Sequence, residues 1–130
     1  MISINKVLLQ GYVGNDPEVR KTSQGKEMIN FSVGTNDNKQ KDSPALWHRV
    51  IIFKDSLLSP VKLYVKKGTR VFVEGKLKSR KYTDKNGKDN VVTEIIVSNS
   101  SDSIQFENKN QDIVDHNQIS DQDNLEEISF

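Results

Sequence analysis

The 130 residues include no cysteine, which excludes disulfides, thiol nucleophiles and thiolate metal sites and gives no sign of an oxidising compartment. Histidine is nearly as scarce. His48 and His116 stand far apart, and no group of side chains has metal-ligand spacing. A glycine-rich phosphate loop and a glycine-flanked nucleophilic serine are also missing. Asp16 and Glu18 are close enough to resemble the carboxylate pairs of some nucleases, but the turn chemistry around Pro17 accounts for Asp16. No enzyme, metal or cofactor is expected. The longest unbroken apolar run is Val50 to Phe53, far short of the roughly 20 residues that span a bilayer. Met1–Lys6 shows neither a signal-peptide apolar region nor an Arg-rich transit segment, so a soluble protein with no membrane partner is expected.

What is present is unevenly distributed. Residues 1–101 carry 18 basic and 10 acidic side chains, a balance of +8, whereas residues 102–130 carry one basic and eight acidic, a balance of −7. The formal net charge of +1 thus conceals a basic body and an acidic tail, an asymmetry that suits a polyanion-binding domain.

Alternation of apolar and polar residues dominates the body. Asn5–Val13, Glu18–Arg20, Met28–Val33, Leu46–Phe53, Arg70–Lys78 and Val91–Val97 each read as strands, separated by turn-forming clusters at 14–17, 22–25 and 84–87. Gly11 and Gly75 interrupt their strands and mark bends. Asn86-Gly87 is a strong hairpin signal. Between Asp55 and Val65, Leu57, Leu58, Val61 and Tyr64 fall at helical spacing, and Pro60 restricts that helix to a short or broken one. From Asn99 onward the alternation is lost in a run of Asn, Gln, Ser and Asp, a composition that cannot bury enough apolar surface to offset its ordering entropy. Short strands, glycine bends and one central helix predict an all-β fold, a small closed barrel of about five strands over residues 1–100, with residues 101–130 as a disordered acidic tail.

The richest stretch is Leu46-Trp47-His48-Arg49-Val50-Ile51-Ile52-Phe53, which holds the single tryptophan. On a strand, Trp47, Arg49, Ile51 and Phe53 share one face and His48, Val50 and Ile52 the other. Rings beside a cation can stack on nucleobases while neutralising phosphate; equally, Trp47 and Phe53 can be core residues with Arg49 snorkelling past them. Lys76, Lys78, Arg80 and Tyr82 have a common parity if their strand runs on, giving three cations and then a ring, and Lys54 adds a further cation.

The blocks Asn5–Gly11, Asp16–Arg20, Trp47–Phe53, Lys67-Gly68 before Val71–Leu77, and Arg80–Asp84 stand in the order and spacing of a known family. From Ile4 to Val97 the chain resembles the bacterial-type single-stranded DNA-binding proteins, which also occur in mitochondria and plastids. The resemblance implies an OB-fold, a five-stranded Greek-key barrel. It also implies a homotetramer that wraps single-stranded DNA without regard to sequence during replication, recombination and repair. Trp47 and Phe53 match two of the family's base-stacking positions. Tyr82 matches a third that is often tryptophan, and Lys39 falls near a loop position that carries another tryptophan in some members. Arg49, Lys54, Lys76, Lys78 and Arg80 would supply the cations, and His48 matches a histidine at the subunit contact. The ending Glu126-Glu127-Ile128-Ser129-Phe130 resembles the acidic tip with which the family recruits replication and repair proteins, with Ser129 where proline is usual. A cytoplasmic, nucleoid-associated bacterial protein is expected rather than an organellar one. The alternative is an OB-fold adaptor or RNA-binding module.

Overall fold

A computed structural model describes residues 2–36 and 44–107, together with the backbone of 113–115. Eight strands and one helix follow in the order β1 (Val7–Val13), β2 (Glu18–Lys21), β3 (Glu27–Thr35), β4 (Leu46–Ile52), α1 (Asp55–Tyr64), β5 (Arg70–Thr83), β6 (Asp89–Val97), β7 (Ser103–Glu107) and β8 (Ile113–Asp115). Five of them close on themselves. β1 pairs with β3, β3 with β4, β4 with β6, β6 with β5, and β5 returns to β1. Every pairing in that ring is antiparallel except β4 with β6. The ring is the expected five-stranded OB barrel.

Strand periodicity decides what lies inside. Leu9 and Val13 on β1, Ile29, Phe31 and Val33 on β3, Val50 and Ile52 on β4, Val71 and Val73 on β5, and Ile95 and Val97 on β6 form a single buried cluster. The helix contributes Leu57 and Val61, one turn apart, to the same cluster, and Val65 follows them. Pro60 lies inside the helix and is buried with them, so the helix is short but unbroken. β5 and β6 continue past the barrel as a long hairpin, paired from Lys76↔Ile96 out to Thr83↔Asp89. At its tip Gly87 has φ +77°, the left-handed conformation that the Asn-Gly signal anticipates.

The expected boundary at residue 100 is corrected. Asp102 is buried, and its carboxylate accepts the backbone N–H groups of Ser98 and Asn99, both at 3.0 Å. β7 then pairs with Val71–Glu74 of β5 and places Ile104 and Phe106 in the core, where the Phe106 ring stacks on Tyr64 with centroids 6.0 Å apart. Two hydrophobes in a polar context are too short a pattern to read as a strand, and their burial depends on a non-local partner. The rest of the expected tail, apart from the backbone of β8, lies outside the described residues, as does Lys39. Among the described residues, no helix is long and apolar enough to cross a membrane.

Candidate nucleic-acid interface

The barrel's outer surface is built by the residues whose neighbours point inward. On β4, Val50 and Ile52 turn into the core, so Trp47 and Arg49 turn out. Trp47 is 61% exposed, unusual for a tryptophan. Its ring lies over bare backbone. A Cβ added at Gly34, which pairs directly with Trp47, would come 2.9 Å from the ring, and one added at Gly14 would collide with it. The indole therefore rests one side on glycines and offers the rest to solvent.

Across the sheet, Arg49 is opposite Glu94 on β6, and Glu94 is opposite Lys78 on β5. Directly opposite residues project from the same face, so these three form one outward row. Arg80 and Tyr82 follow Lys78 at strand spacing toward the hairpin tip, and Lys76 precedes it. All but half-buried Lys76 are exposed, Tyr82 to 44%. The structure thus brings together Trp47, Arg49, Lys76, Lys78, Arg80 and Tyr82 on one side of the sheet.

Glu94 is the residue that sequence reasoning missed. It is only 3% exposed, and both carboxylate oxygens are engaged: Arg80 Nε donates to Oε1 at 2.8 Å, and Arg49 Nε lies 3.0 Å from Oε2. A second Arg80 bond, from Nη2, is longer at 3.4 Å. A carboxylate withdrawn from water requires such partners. The hydrogen bond to Glu94 raises the Arg80 pKa further above its already high ordinary value. Each guanidinium presents mainly its Nε side to Glu94 and keeps other N–H donors for an incoming anion. The one available signal was a lone acid within the β-branched run Val91–Val97.

Three further expected residues lie outside this row, and only Lys54 has its charge engaged by the backbone. Phe53 lies past the end of β4, half-buried, with its N–H bonded to Val97 O at 2.8 Å; buried Ile51 separates it from the exposed part of the strand. Lys54 donates its ammonium to the carbonyls of Asp102 at 2.8 Å and Ser100 at 3.4 Å, tying the start of the helix to the turn before β7. His48, expected at a subunit contact, points to the opposite side of β4 from Trp47, where its Nε2 and Thr35 Oγ1 are hydrogen-bonded at 2.8 Å. Among the described residues, no group of three or more His, Asp or Glu side chains is arranged to hold a metal ion.

The profile of the single-strand binding protein family matches residues 4–106. A single-stranded DNA-binding protein of Rickettsia typhi is 41% identical over 115 residues, 83% of this chain and 76% of that protein. One from Rickettsia conorii is 40% identical over 125 residues, 91% of this chain and 81% of that protein. A solved Plasmodium falciparum SSB in complex with ssDNA matches with a TM-score of 0.71 at 32% identity, covering 82% of this chain and 96% of that one. With the barrel and its outward face described and the match running through nearly all of both, this chain belongs to the single-strand binding protein family.

Proposed function

We propose that the protein binds single-stranded DNA irrespective of sequence, protecting it during replication, recombination and repair. Bases stack on Trp47 and Tyr82, while Arg49, Lys76, Lys78 and Arg80 neutralise the phosphates. The observation that carries this reading is the exposed Trp47 ring two residues from Arg49 on an outward face. A single strand offers two handles that do not depend on base identity, the phosphate chain and the flat faces of unpaired bases. In a duplex those faces are already stacked. Phe53, half-buried just past β4, is proposed as a further contact at the edge of this face, whereas Lys54 is left out because its ammonium is held by the turn before β7.

Homotetramer formation, with His48 near a subunit contact, is part of the proposal and rests on family membership. Leu8 stands exposed on the outer side of β1, with half-buried Phe72 on neighbouring β5, and together they offer apolar surface to a second copy. Glu126, Glu127, Ile128 and Phe130 are proposed to dock replication and repair proteins, with the terminal phenylalanine filling an apolar pocket beside a basic rim. A bacterial cytoplasmic location beside the nucleoid fits these roles. The reading is tested by displacing a labelled oligo-dT with unlabelled oligo-dT, oligo-rU and blunt duplex. Displacement by oligo-dT far ahead of duplex supports it. Equal displacement by duplex contradicts it, and a clear preference for oligo-rU points to an RNA-binding module instead.

A further inference from the structure

β1 carries an aromatic ring that the interface above leaves unused. Its inward positions are Leu9 and Val13, both in the core, so Tyr12 points outward, and it is 59% exposed. Its hydroxyl has no partner among the described residues. Core packing therefore does not explain this side chain.

The register gives it a neighbour. Tyr12 pairs with Gly34 on β3, and Gly34 pairs with Trp47 on β4. The three form one row across adjacent strands and project from the same face. Strands about 4.8 Å apart place the Tyr12 and Trp47 Cα atoms about 10 Å from each other. The residue between them has no side chain, and a Cβ there would meet the Trp47 ring at 2.9 Å. Two exposed rings thus flank a floor of bare backbone. On its other side Tyr12 pairs with Arg70 of β5. That guanidinium is half-exposed and lies 3.9 Å from Glu107, and the Gln10 amide oxygen can accept from its Nη2 at 2.7 Å. The row reads cation, ring, gap, ring: Arg70, Tyr12, Gly34, Trp47. On the other side, Arg49 stands two residues from Trp47 on β4 and opens the Arg49–Glu94–Lys78 row.

We propose that Tyr12 is a further base-stacking residue of the single-stranded DNA site, and that the strand continues from Trp47 across Gly34 to Tyr12, with Arg70 taking a phosphate at that end. The proposal rests on the reading of Trp47 as a stacking ring. Every base has a π-face, so a tyrosine here adds affinity without adding sequence preference.

The test is equilibrium binding of a labelled oligo-dT to the full chain and to Tyr12→Ala, Tyr12→Phe, Arg70→Ala and Trp47→Ala, over a series of salt concentrations, with light scattering for mass. Tyr12→Ala is expected to weaken binding about 5- to 150-fold, the range of one lost base–aromatic contact. The salt slope should be unchanged, because stacking releases no counterions. Tyr12→Phe, which keeps the ring, restores binding. Arg70→Ala makes the salt slope shallower by about 0.7, the increment for one phosphate on a single strand. Should Tyr12→Ala not fold, Tyr12→Leu, which keeps the bulk and lacks the ring, must show the same loss. Unchanged affinity for Tyr12→Ala beside a weakened Trp47→Ala overturns the proposal and leaves the interface standing. Unchanged affinity for both overturns the underlying reading as well. A change of mass in Tyr12→Ala makes the residue a contact between copies, which also overturns the proposal.

Discussion

Arg80 and Glu94 are not opposite one another, yet they are joined by a charged hydrogen bond on the outward face. The register sets Glu94 opposite Lys78, and Arg80 reaches diagonally to place Nε 2.8 Å from Oε1. Arg49 holds the other oxygen from the far side. The buried carboxylate cancels one of the two positive charges and fixes how both guanidiniums are presented.

Replacing Glu94 by Gln should therefore act in two ways. Stability falls by less than about 1.5–3 kcal/mol, the usual range for hydrogen bonds to charged groups, because both arginines are half-exposed and part of the effect is screened. Single-strand binding becomes more salt-dependent, the log–log slope steepening by about 0.7 as one more cation becomes available to phosphate. Chemical denaturation and a salt titration check the two parts separately. An unchanged or shallower slope contradicts the assignment of Arg49 and Arg80 to phosphate.

Trp47 depends on the absence of a side chain at Gly14. A methyl group there collides with the indole, and the exposed ring is the partner with room to move. Gly14→Ala should shift the tryptophan emission maximum and weaken oligo-dT binding about 5- to 150-fold, the range of one displaced stacking contact. Thermal unfolding should change little. Full affinity with a displaced emission maximum would remove Trp47 from the interface.

At the hairpin tip, Asp84 accepts the N–H groups of Lys88 and Asn86 and the side-chain amide of Asn90, each at 2.9 Å. These bonds, led by that from Lys88, hold its carboxyl below the ordinary value of 3.8. A depressed folded pKa means a stabilising contribution that is present above the unfolded value and lost as pH falls through the folded one. The Asn86 and Lys88 amide resonances should therefore keep their hydrogen-bonded shifts below pH 3.8 and move only in stronger acid. Movement centred at or above that pH contradicts the assignment.

Phe106 tests where the folded body ends. It is buried in the core and stacks on Tyr64, so Phe106→Ala should cost about 3–5 kcal/mol, measured by denaturant unfolding. Deleting 126–130 should leave stability and DNA binding intact while abolishing capture of replication and repair partners. A neutral Phe106→Ala would return residues 101–107 to the tail. Retained partner capture would return the tip to a solubilising role.

Period-two patterns were readable because they are local. Ile29, Phe31 and Val33 point inward as their alternation requires, and Lys76, Lys78, Arg80 and Tyr82 do share one parity along β5. Features set by distant partners were not readable. Glu94 is defined by arginines on two other strands, and Ile104 and Phe106 by a strand some thirty residues earlier. The ammonium of Lys54 is held by carbonyls beyond β6, so a cation that suited phosphate in the sequence is tied to the backbone instead. For Phe53 the parity argument reached only as far as the strand: β4 ends at Ile52, and Phe53 follows it half-buried.

Because Trp47 is the only tryptophan, the protein's intrinsic tryptophan fluorescence reports on one position of the interface. Titration with oligo-dT, with occupancy followed independently by the anisotropy of a labelled strand, should quench that emission saturably in step with binding. Blunt duplex at the same concentrations should leave it nearly unchanged. Emission that stays constant while the labelled strand saturates would show that bases do not stack on Trp47, and would contradict the account at its centre.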